Sequence, residues 1–322
     1  MSTSTSLHLR ALLKEAVARV GLDQHARALT GLNAPAKALQ VAAVSGALPR
    51  GVVLLVVPGD RDLEQAVRDV RFFMSALEGL SDAATDAVIL PFPSHEIDPY
   101  RGMTPHVGVT SARARALHAA ASGHARVIVA SAPALLPRVS SPTRMINASI
   151  ELKPGAEIAP TDLGELLADA GFTREDPADE HGEFAVRGGI LDVFPANAAE
   201  PVRLEFIGVT IETLRTYDPS TQRSVRPIDQ LTIVPLSDIL ADDRDGSLFD
   251  YLALHDSRVV VSEPEDTLAA LDKLVEQVER SYATATARTP APPEEQWVDD
   301  GWDDEDTAEE GDRKSTRLNS SH

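Results

Sequence analysis

The distribution of apolar residues divides the chain into regions of two kinds. Residues 183–187 and 202–207 alternate apolar with polar or small side chains, a period of two that is typical of strands with one buried face. The glycine pair at 188–189 permits a tight turn, because glycine adopts positive φ without a Cβ clash. This pattern predicts that Arg187 and Arg203 stand on the outer faces of neighbouring strands.

Unbroken apolar runs, which are typical of buried strands, lie on both sides of this region. Val52–Val57, Val88–Leu90 and Val127–Val129 are separated by segments with helical spacing, so their order follows the βαβ pattern of a parallel sheet covered by helices. A later run, Val259–Val261, is expected to return to the same sheet. The chain is therefore predicted to have an α/β fold.

The change of pattern also suggests domain boundaries. We expect residues 1–147 to form the first part of a parallel-sheet domain and residues 148–234 to form a small inserted α+β domain. Residues 235–290 would then complete the first domain.

Residues 31–38 keep part of the spacing of a P-loop but lack its chemistry. The motif reads G-x-x-x-x-G-K-[ST]: its second glycine lets backbone N–H groups close on phosphate, and its hydroxyl holds Mg²⁺. Gly31 and Lys37 are in place, but Ala36 replaces the glycine and Ala38 replaces the hydroxyl residue. The segment is either a degenerate nucleotide loop or a chance match, and neither interpretation allows ATP hydrolysis here.

A second motif of nucleotide hydrolysis is also incomplete. In motor domains an apolar strand ends in Asp-Glu, which holds Mg²⁺ and activates water, whereas Val259–Val261 is followed by Ser262 and Glu263. The nine histidines form no H-x-x-x-H or H-E-x-x-H motif, and no G-x-S-x-G motif is present. We therefore expect a degenerate RecA-like domain with no catalytic residue, metal or cofactor of its own.

Composition narrows the class of protein. The 322 residues are 43% hydrophobic and 25% charged, as in an ordinary globular protein of about two domains. With no cysteine, neither a disulfide nor a thiolate metal site can form. The formal charge of −20 argues against general nucleic-acid binding, since phosphate affinity depends on Lys and Arg. No apolar run approaches a membrane span and no signal pattern opens the chain, so a cytoplasmic location without membrane contact is expected.

The end of the chain differs from the rest. Residues 291–311 are rich in Asp and Glu, which predicts a solvated, disordered linker; an acidic docking peptide around Trp297 and Trp302 is the alternative. Residues 312–322 resemble the in-frame translation of a common sequencing-library adapter, with a natural basic tail as the alternative. We expect the natural protein to continue past this point.

Binding is then expected at the outer face of the alternating strands. Arg187, Arg203 and Ile207 would form a small mixed patch there, and arginine makes strong bidentate contacts with carboxylates at interfaces. The alternative is that the arginines form surface salt bridges with Glu183 and Glu205, which contribute little. The residues alone leave both interpretations open.

The same stretch carries a resemblance to a known family. Glu-His-Gly-Glu-Phe-Ala-Val-Arg-Gly at 180–188, Ile-Leu-Asp-Val-Phe-Pro at 190–195 and Val-Arg-Leu-Glu-Phe at 202–206 resemble the second domain of bacterial transcription-repair coupling factors. The excinuclease subunit UvrB has a similar domain, but the Glu-His-Gly-Glu opening favours the coupling factors. The resemblance extends from roughly residue 25 to residue 285.

This resemblance implies a function. In the family, arginines that match Arg187 and Arg203 belong to the surface that recruits the excinuclease subunit UvrA, and a third contact position, commonly Phe, falls on Ile207. Full-length relatives also carry a domain that contacts RNA polymerase and motor domains that use ATP and Mg²⁺ to translocate on double-stranded DNA. We therefore expect a non-catalytic adaptor that recruits UvrA to stalled transcription.

Two alternatives remain at this point. A fragment of a UvrB-type ATP-dependent repair helicase would require ATP binding at Lys37. A protein-interaction domain unrelated to repair would fit the acidic composition.

Overall fold

The structure of the chain is a computed structural model. It describes residues 2–24, 28–196, 198, 200–240 and 243–288. The predictions for residues 291–311 and 312–322 lie outside these ranges.

The described residues form both helices and strands, with about twice as many residues in helices as in strands. The helices, in chain order, are α1 (Ser2–Val20), α2 (Ala34–Ala47), α3 (Asp60–Glu78), α4 (Asp82–Val88), α5 (Val107–Ala121), α6 (Pro142–Asn147), α7 (Pro160–Asp169), α8 (Leu248–Leu252) and α9 (Pro264–Arg288). None of these helices is long and apolar enough to cross a membrane. The strands are β1 (Val52–Val57), β2 (Ile89–Phe92), β3 (Val127–Ser131), β4 (Ile150–Leu152), β5 (Thr173–Arg174), β6 (Glu183–Arg187), β7 (Ile190–Val193), β8 (Val202–Ile207), β9 (Thr210–Asp218), β10 (Arg223–Pro227), β11 (Leu231–Ile233) and β12 (Ser257–Val261).

The unbroken apolar runs form a four-stranded parallel sheet in the order β12-β1-β3-β2. All residues of β1 are buried, because helices cover both faces of the sheet: α2 and α3 pack on one face and α5 packs on the other. The late strand β12 pairs in parallel with β1, from Val52 opposite Ser257 to Val56 opposite Val261. The predicted α/β class with a parallel sheet is confirmed.

Between α6 and α8 the chain forms a six-stranded sheet in the order β10-β9-β8-β7-β6-β5. Its strands are antiparallel except for the short parallel pair of β5 and β6. Apolar residues of β6, β7 and β8 share a core with Leu163 and Leu167 of α7. Gly188, with φ of 62°, occupies the two-residue turn between β6 and β7, where glycine was expected.

One prediction about this sheet was wrong. β7 lies between β6 and β8, so the strands that carry Arg187 and Arg203 are not neighbours. The reason is that residues 190–193 form a strand of their own, which turns back from the glycine pair and fills the space between the other two.

A buried ion pair joins α5 to the segment after β11, a strand that pairs with β4 in a separate two-stranded sheet. Arg113 of α5 has no exposed surface, and its Nε donates to Oδ2 of Asp238 at 2.6 Å. Asp238, which follows β11 and is 1% exposed, also lies 3.2 Å from Nε2 of His95. Arg113 Nη1 donates to the carbonyl oxygens of Pro93 and Ala134, so this arginine links the parallel sheet to the segment that leaves the inserted part.

Candidate protein-binding site

The two arginines lie on the outer face of the six-stranded sheet. Ala185 stands opposite Asp192, and Asp192 stands opposite Arg203. Directly opposed residues of antiparallel strands share a face, and Arg187 joins that face because it follows Ala185 by two positions. The register of three strands therefore brings Arg187, Asp192 and Arg203 together.

Arg203 is held on several sides. Its Nε and Nη2 atoms donate to the two carboxylate oxygens of Asp192 at 2.7 and 2.8 Å, and its Nη1 donates to the Gln222 carbonyl oxygen at 3.1 Å. The guanidinium carbon lies 5.0 Å from the centre of the Tyr217 ring, within cation–π range. Hydrogen bonding to Asp192 raises the pKa of Arg203 against the opposing effect of burial. This side chain, 15% exposed, is a cation of fixed orientation.

Tyr217 connects this cluster to the loop before β6. The ring is 1% exposed, and its hydroxyl donates to the carbonyl oxygen of Ala178. Burial raises the pKa of the phenol, so the hydroxyl stays protonated and remains a donor. The loop around Ala178 is thereby fixed against the outer face of β9.

Arg187 contacts the same loop from the other end of the face. Its Nε donates to Oδ2 of Asp176 at 3.0 Å, and its Nη2 lies 2.5 Å from Oδ1. Nη2 is also 3.9 Å from Oδ2 of Asp192, which places the buried Asp192 carboxylate between the two arginines. Arg187 and Asp176 are both open to water, with 39% and 63% of their side chains exposed.

Neither arginine pairs with the glutamates that the salt-bridge interpretation named. Glu183 accepts hydrogen bonds from the backbone N–H groups of Asp179 and Glu180, and Glu205 accepts one from the Thr213 hydroxyl. That interpretation was right that the arginines are paired and wrong about the partners, because aspartates from β7 and from the loop reach them instead.

Ile207 stands apart from the arginines. It is the last residue of β8 and is 66% exposed, and the adjoining turn exposes Val209. It follows Arg203 by four residues, which is roughly 13 Å along a strand, and the pairing register shifts between Glu205 and Phe206. Ile207 therefore offers apolar surface at the rim of this face.

The two segments that were compared with motifs of nucleotide hydrolysis lie together at the carboxyl end of the parallel sheet. Lys37 in the first turn of α2 donates from Nζ to Oγ of Ser262 at 3.0 Å and forms an ion pair with Glu263. Asn33 caps α2 by accepting from the Ala36 N–H, which is the position where a P-loop would have its second glycine. Residues far apart in the sequence thus form one site.

The cavity at this site has a volume of about 460 Å³ and a surplus of acidic groups. Lys37 lines it together with Asp62, Glu263 and Asp266. Gly31 opens the loop with φ of 76°, while Ala38 is buried and offers no hydroxyl. In the described part of the chain, His, Asp and Glu side chains form no cluster that could hold a metal ion.

Comparison with known proteins finds a family match over the segment that contains the six-stranded sheet. Residues 150–238 match the model of the UvrB interaction domain, a range that includes Arg187, Asp192, Arg203 and Ile207. The transcription-repair-coupling factor of Haemophilus influenzae is 30% identical over 56% of this chain, and that of Escherichia coli is 27% identical over 62%. The family resemblance is confirmed. This chain is similar to transcription-repair coupling factors.

The chain is much shorter than the coupling factors to which it is similar. The chain spans 16% of the length of each of these two coupling factors. UvrABC system protein B of Mycobacterium bovis is also similar, with 33% identity over 36% of this chain and 16% of its own length. The similarity to coupling factors thus covers the larger share of the chain.

Proposed function

We propose that this chain is the adaptor part of a transcription-repair coupling factor and that it binds the UvrA subunit of the excinuclease. The outer face of the six-stranded sheet carries the proposal: it lies within the family match and presents Arg187 beside the buried pair of Asp192 and Arg203. Planar guanidinium groups of fixed orientation suit acidic partner surfaces, because a bidentate contact adds directionality to charge. Exposed Ile207 adds apolar contact. Binding there would recruit UvrA to stalled RNA polymerase for nucleotide excision repair.

The adaptor role requires no catalysis by this chain. Lys37 is neutralised by Glu263, and Ala38 cannot hold Mg²⁺, which supports the absence of ATP hydrolysis at this site. We assign ATP, Mg²⁺ and translocation on double-stranded DNA to motor domains of the full-length coupling factor, and contact with RNA polymerase to another of its domains. The ion pair also disfavours a UvrB-type helicase, which would need Lys37 free for phosphate.

Binding of the 322-residue chain to UvrA from the same organism, measured by calorimetry, tests the proposal. We expect Arg187→Ala to weaken binding by about tenfold or more, as for arginines that become buried when a partner binds. Arg258→Ala is a matched control, because Arg258 forms an exposed pair with Asp256 on the parallel sheet and has the same 39% exposure as Arg187. Circular dichroism checks that each variant is folded.

Ile207 provides a second arm of the same experiment. Ile207→Ser should weaken binding and Ile207→Phe should preserve or strengthen it, since apolar area at the rim is lost in the first and gained in the second. Absence of wild-type binding, or equal weakening by Arg187→Ala and Arg258→Ala, would overturn the proposed function.

A further inference from the structure

The two aspartates that hold the arginines differ sharply in burial. Asp192 is 1% exposed and contacts Arg203 through both carboxylate oxygens. Asp176 is 63% exposed and contacts Arg187 through both of its own. The same chemical pair therefore occurs twice on one face, once shielded from water and once open to it.

Asp192 fixes the geometry of the face. A buried carboxylate persists only when it is paired and hydrogen-bonded, and here Arg203 supplies two donors while Arg187 approaches to 3.9 Å. The contact leaves Arg203 little rotational freedom. Less conformational entropy is then lost when a partner binds, which increases affinity.

Asp176 has the opposite effect on Arg187. It occupies the Nε and Nη2 edge of the guanidinium, one of the two edges from which a carboxylate can accept a bidentate contact. Because both groups are exposed, the internal pair is weak and a partner carboxylate can displace it. A partner carboxylate that binds this edge nevertheless has to break the contact with Asp176 first.

We propose that the two aspartates set the affinity of this face for an acidic partner surface in opposite directions. Asp192 is a positioning residue that presents the arginines, whereas Asp176 competes with the partner's carboxylate for Arg187. The inference rests on the proposed function, and it adds that the surface of UvrA that meets Arg187 is acidic.

Asp176→Asn tests the competing role. It removes the charge of an exposed side chain without disturbing the core, and UvrA binding should tighten by about two- to fivefold, the strength of an exposed ion pair. Asp179→Asn is the matched control: it lies exposed in the same loop and removes the same charge but no contact to Arg187. Equal affinities for the two variants would overturn the competing role.

Asp192→Asn tests the positioning role through a double-mutant cycle with Arg203→Gln. Each single variant should weaken UvrA binding by about tenfold. If Asp192 acts through Arg203, adding Asp192→Asn to Arg203→Gln should weaken binding little further, whereas independent effects would add. Additive losses in folded variants would overturn the positioning role.

The outcomes separate this inference from the proposed function. If the wild type does not bind UvrA, both fail. If the wild type binds and Arg187→Ala weakens it, but Asp176→Asn matches Asp179→Asn, the proposed function stands and this inference fails. Because Asp176 is exposed, that arm does not depend on how well the Asp192 variant folds.

Discussion

At the scale of single residues, the two arginines of the outer face contribute differently to stability. Arg203→Ala leaves the Asp192 carboxylate buried without its bidentate partner, so we expect the free energy of unfolding to fall by about 3 kcal/mol. Arg187→Ala removes an exposed pair and should cost less than about 1 kcal/mol. Urea unfolding followed by circular dichroism measures both, with Arg258→Ala as the exposed control.

Similar losses for the two variants would mean that water or Arg187 compensates Asp192 when Arg203 is gone. The expected difference in stability between Arg203→Ala and Arg187→Ala also decides which of the two binding results is informative. Weak UvrA binding by Arg203→Ala could reflect a disturbed sheet, whereas Arg187→Ala reports on the contact itself.

Sequence periodicity predicts the face but not the pairs on it. A period of two is enough to place Arg187 and Arg203 on outer faces. Asp192 reaches Arg203 because β7 and β8 pair in one register, and Asp176 reaches Arg187 because a loop folds back onto β6. Both contacts depend on non-local pairing, which no local pattern encodes. The one available signal of these pairs in the sequence was Asp192, which lies within the matched segment at 190–195.

At the scale of elements, Lys37 links α2 to the turn between β12 and α9. Its amine contacts Ser262 and Glu263 and is surrounded by further carboxylates, so a triphosphate would meet net negative charge. We therefore expect millimolar Mg·ATP to leave the melting temperature unchanged, because a ligand stabilises a protein only by binding its folded state. Differential scanning fluorimetry measures this.

Variants of the pair sharpen the nucleotide test. Glu263→Gln frees the lysine but leaves Ala36 and Ala38 in place, so it should not create ATP hydrolysis. Lys273→Ala, on the exposed surface of α9, is the control for Lys37→Ala. If ATP raised the melting temperature of the wild type and of Lys273→Ala but not of Lys37→Ala, the expectation that ATP does not bind would be wrong.

Elements with an apolar side were predictable, and elements without one were not. The buried strands β1 and β3 follow directly from apolar runs. The strand predicted at Val88–Leu90 begins one residue later, because Val88 ends α4. All residues of β10 are exposed, and its place at the edge of the sheet depends on pairing with β9 alone. Such a strand carries no hydrophobic period to detect.

At the scale of the whole molecule, the return of the chain to its first sheet was expected from the apolar run at Val259–Val261, and β12 does pair with β1. The contact between α5 and the segment after β11 was not expected. Arg113 and Asp238 lie far apart in the sequence, and nothing in the helical pattern of α5 distinguishes a buried arginine from a solvated one.

The buried pair of Arg113 and Asp238 makes the stability of the molecule depend on pH. Burial alone would raise the pKa of Asp238, but the hydrogen bond with His95 and the charge of Arg113 outweigh it and lower the pKa. A carboxyl whose pKa is lower in the folded state stabilises the fold above its unfolded value of about 4, and that contribution is lost as the pH falls through the folded value. Asp238→Asn should therefore reduce the free energy of unfolding by about 3 kcal/mol near neutral pH, with a difference from wild type that shrinks below about pH 4.

Urea unfolding at a series of pH values measures that difference, and Asp218→Asn provides the comparison. The pKa of Asp218 is also lowered, but by hydrogen bonds from Ser220 in its own exposed turn, so its substitution disturbs no buried arginine. We expect a small loss near neutral pH for Asp218→Asn and a large one for Asp238→Asn. A difference between Asp238→Asn and wild type that stays constant down to about pH 3 would show that the carboxylate charge of Asp238 is not what holds α5 against the segment after β11.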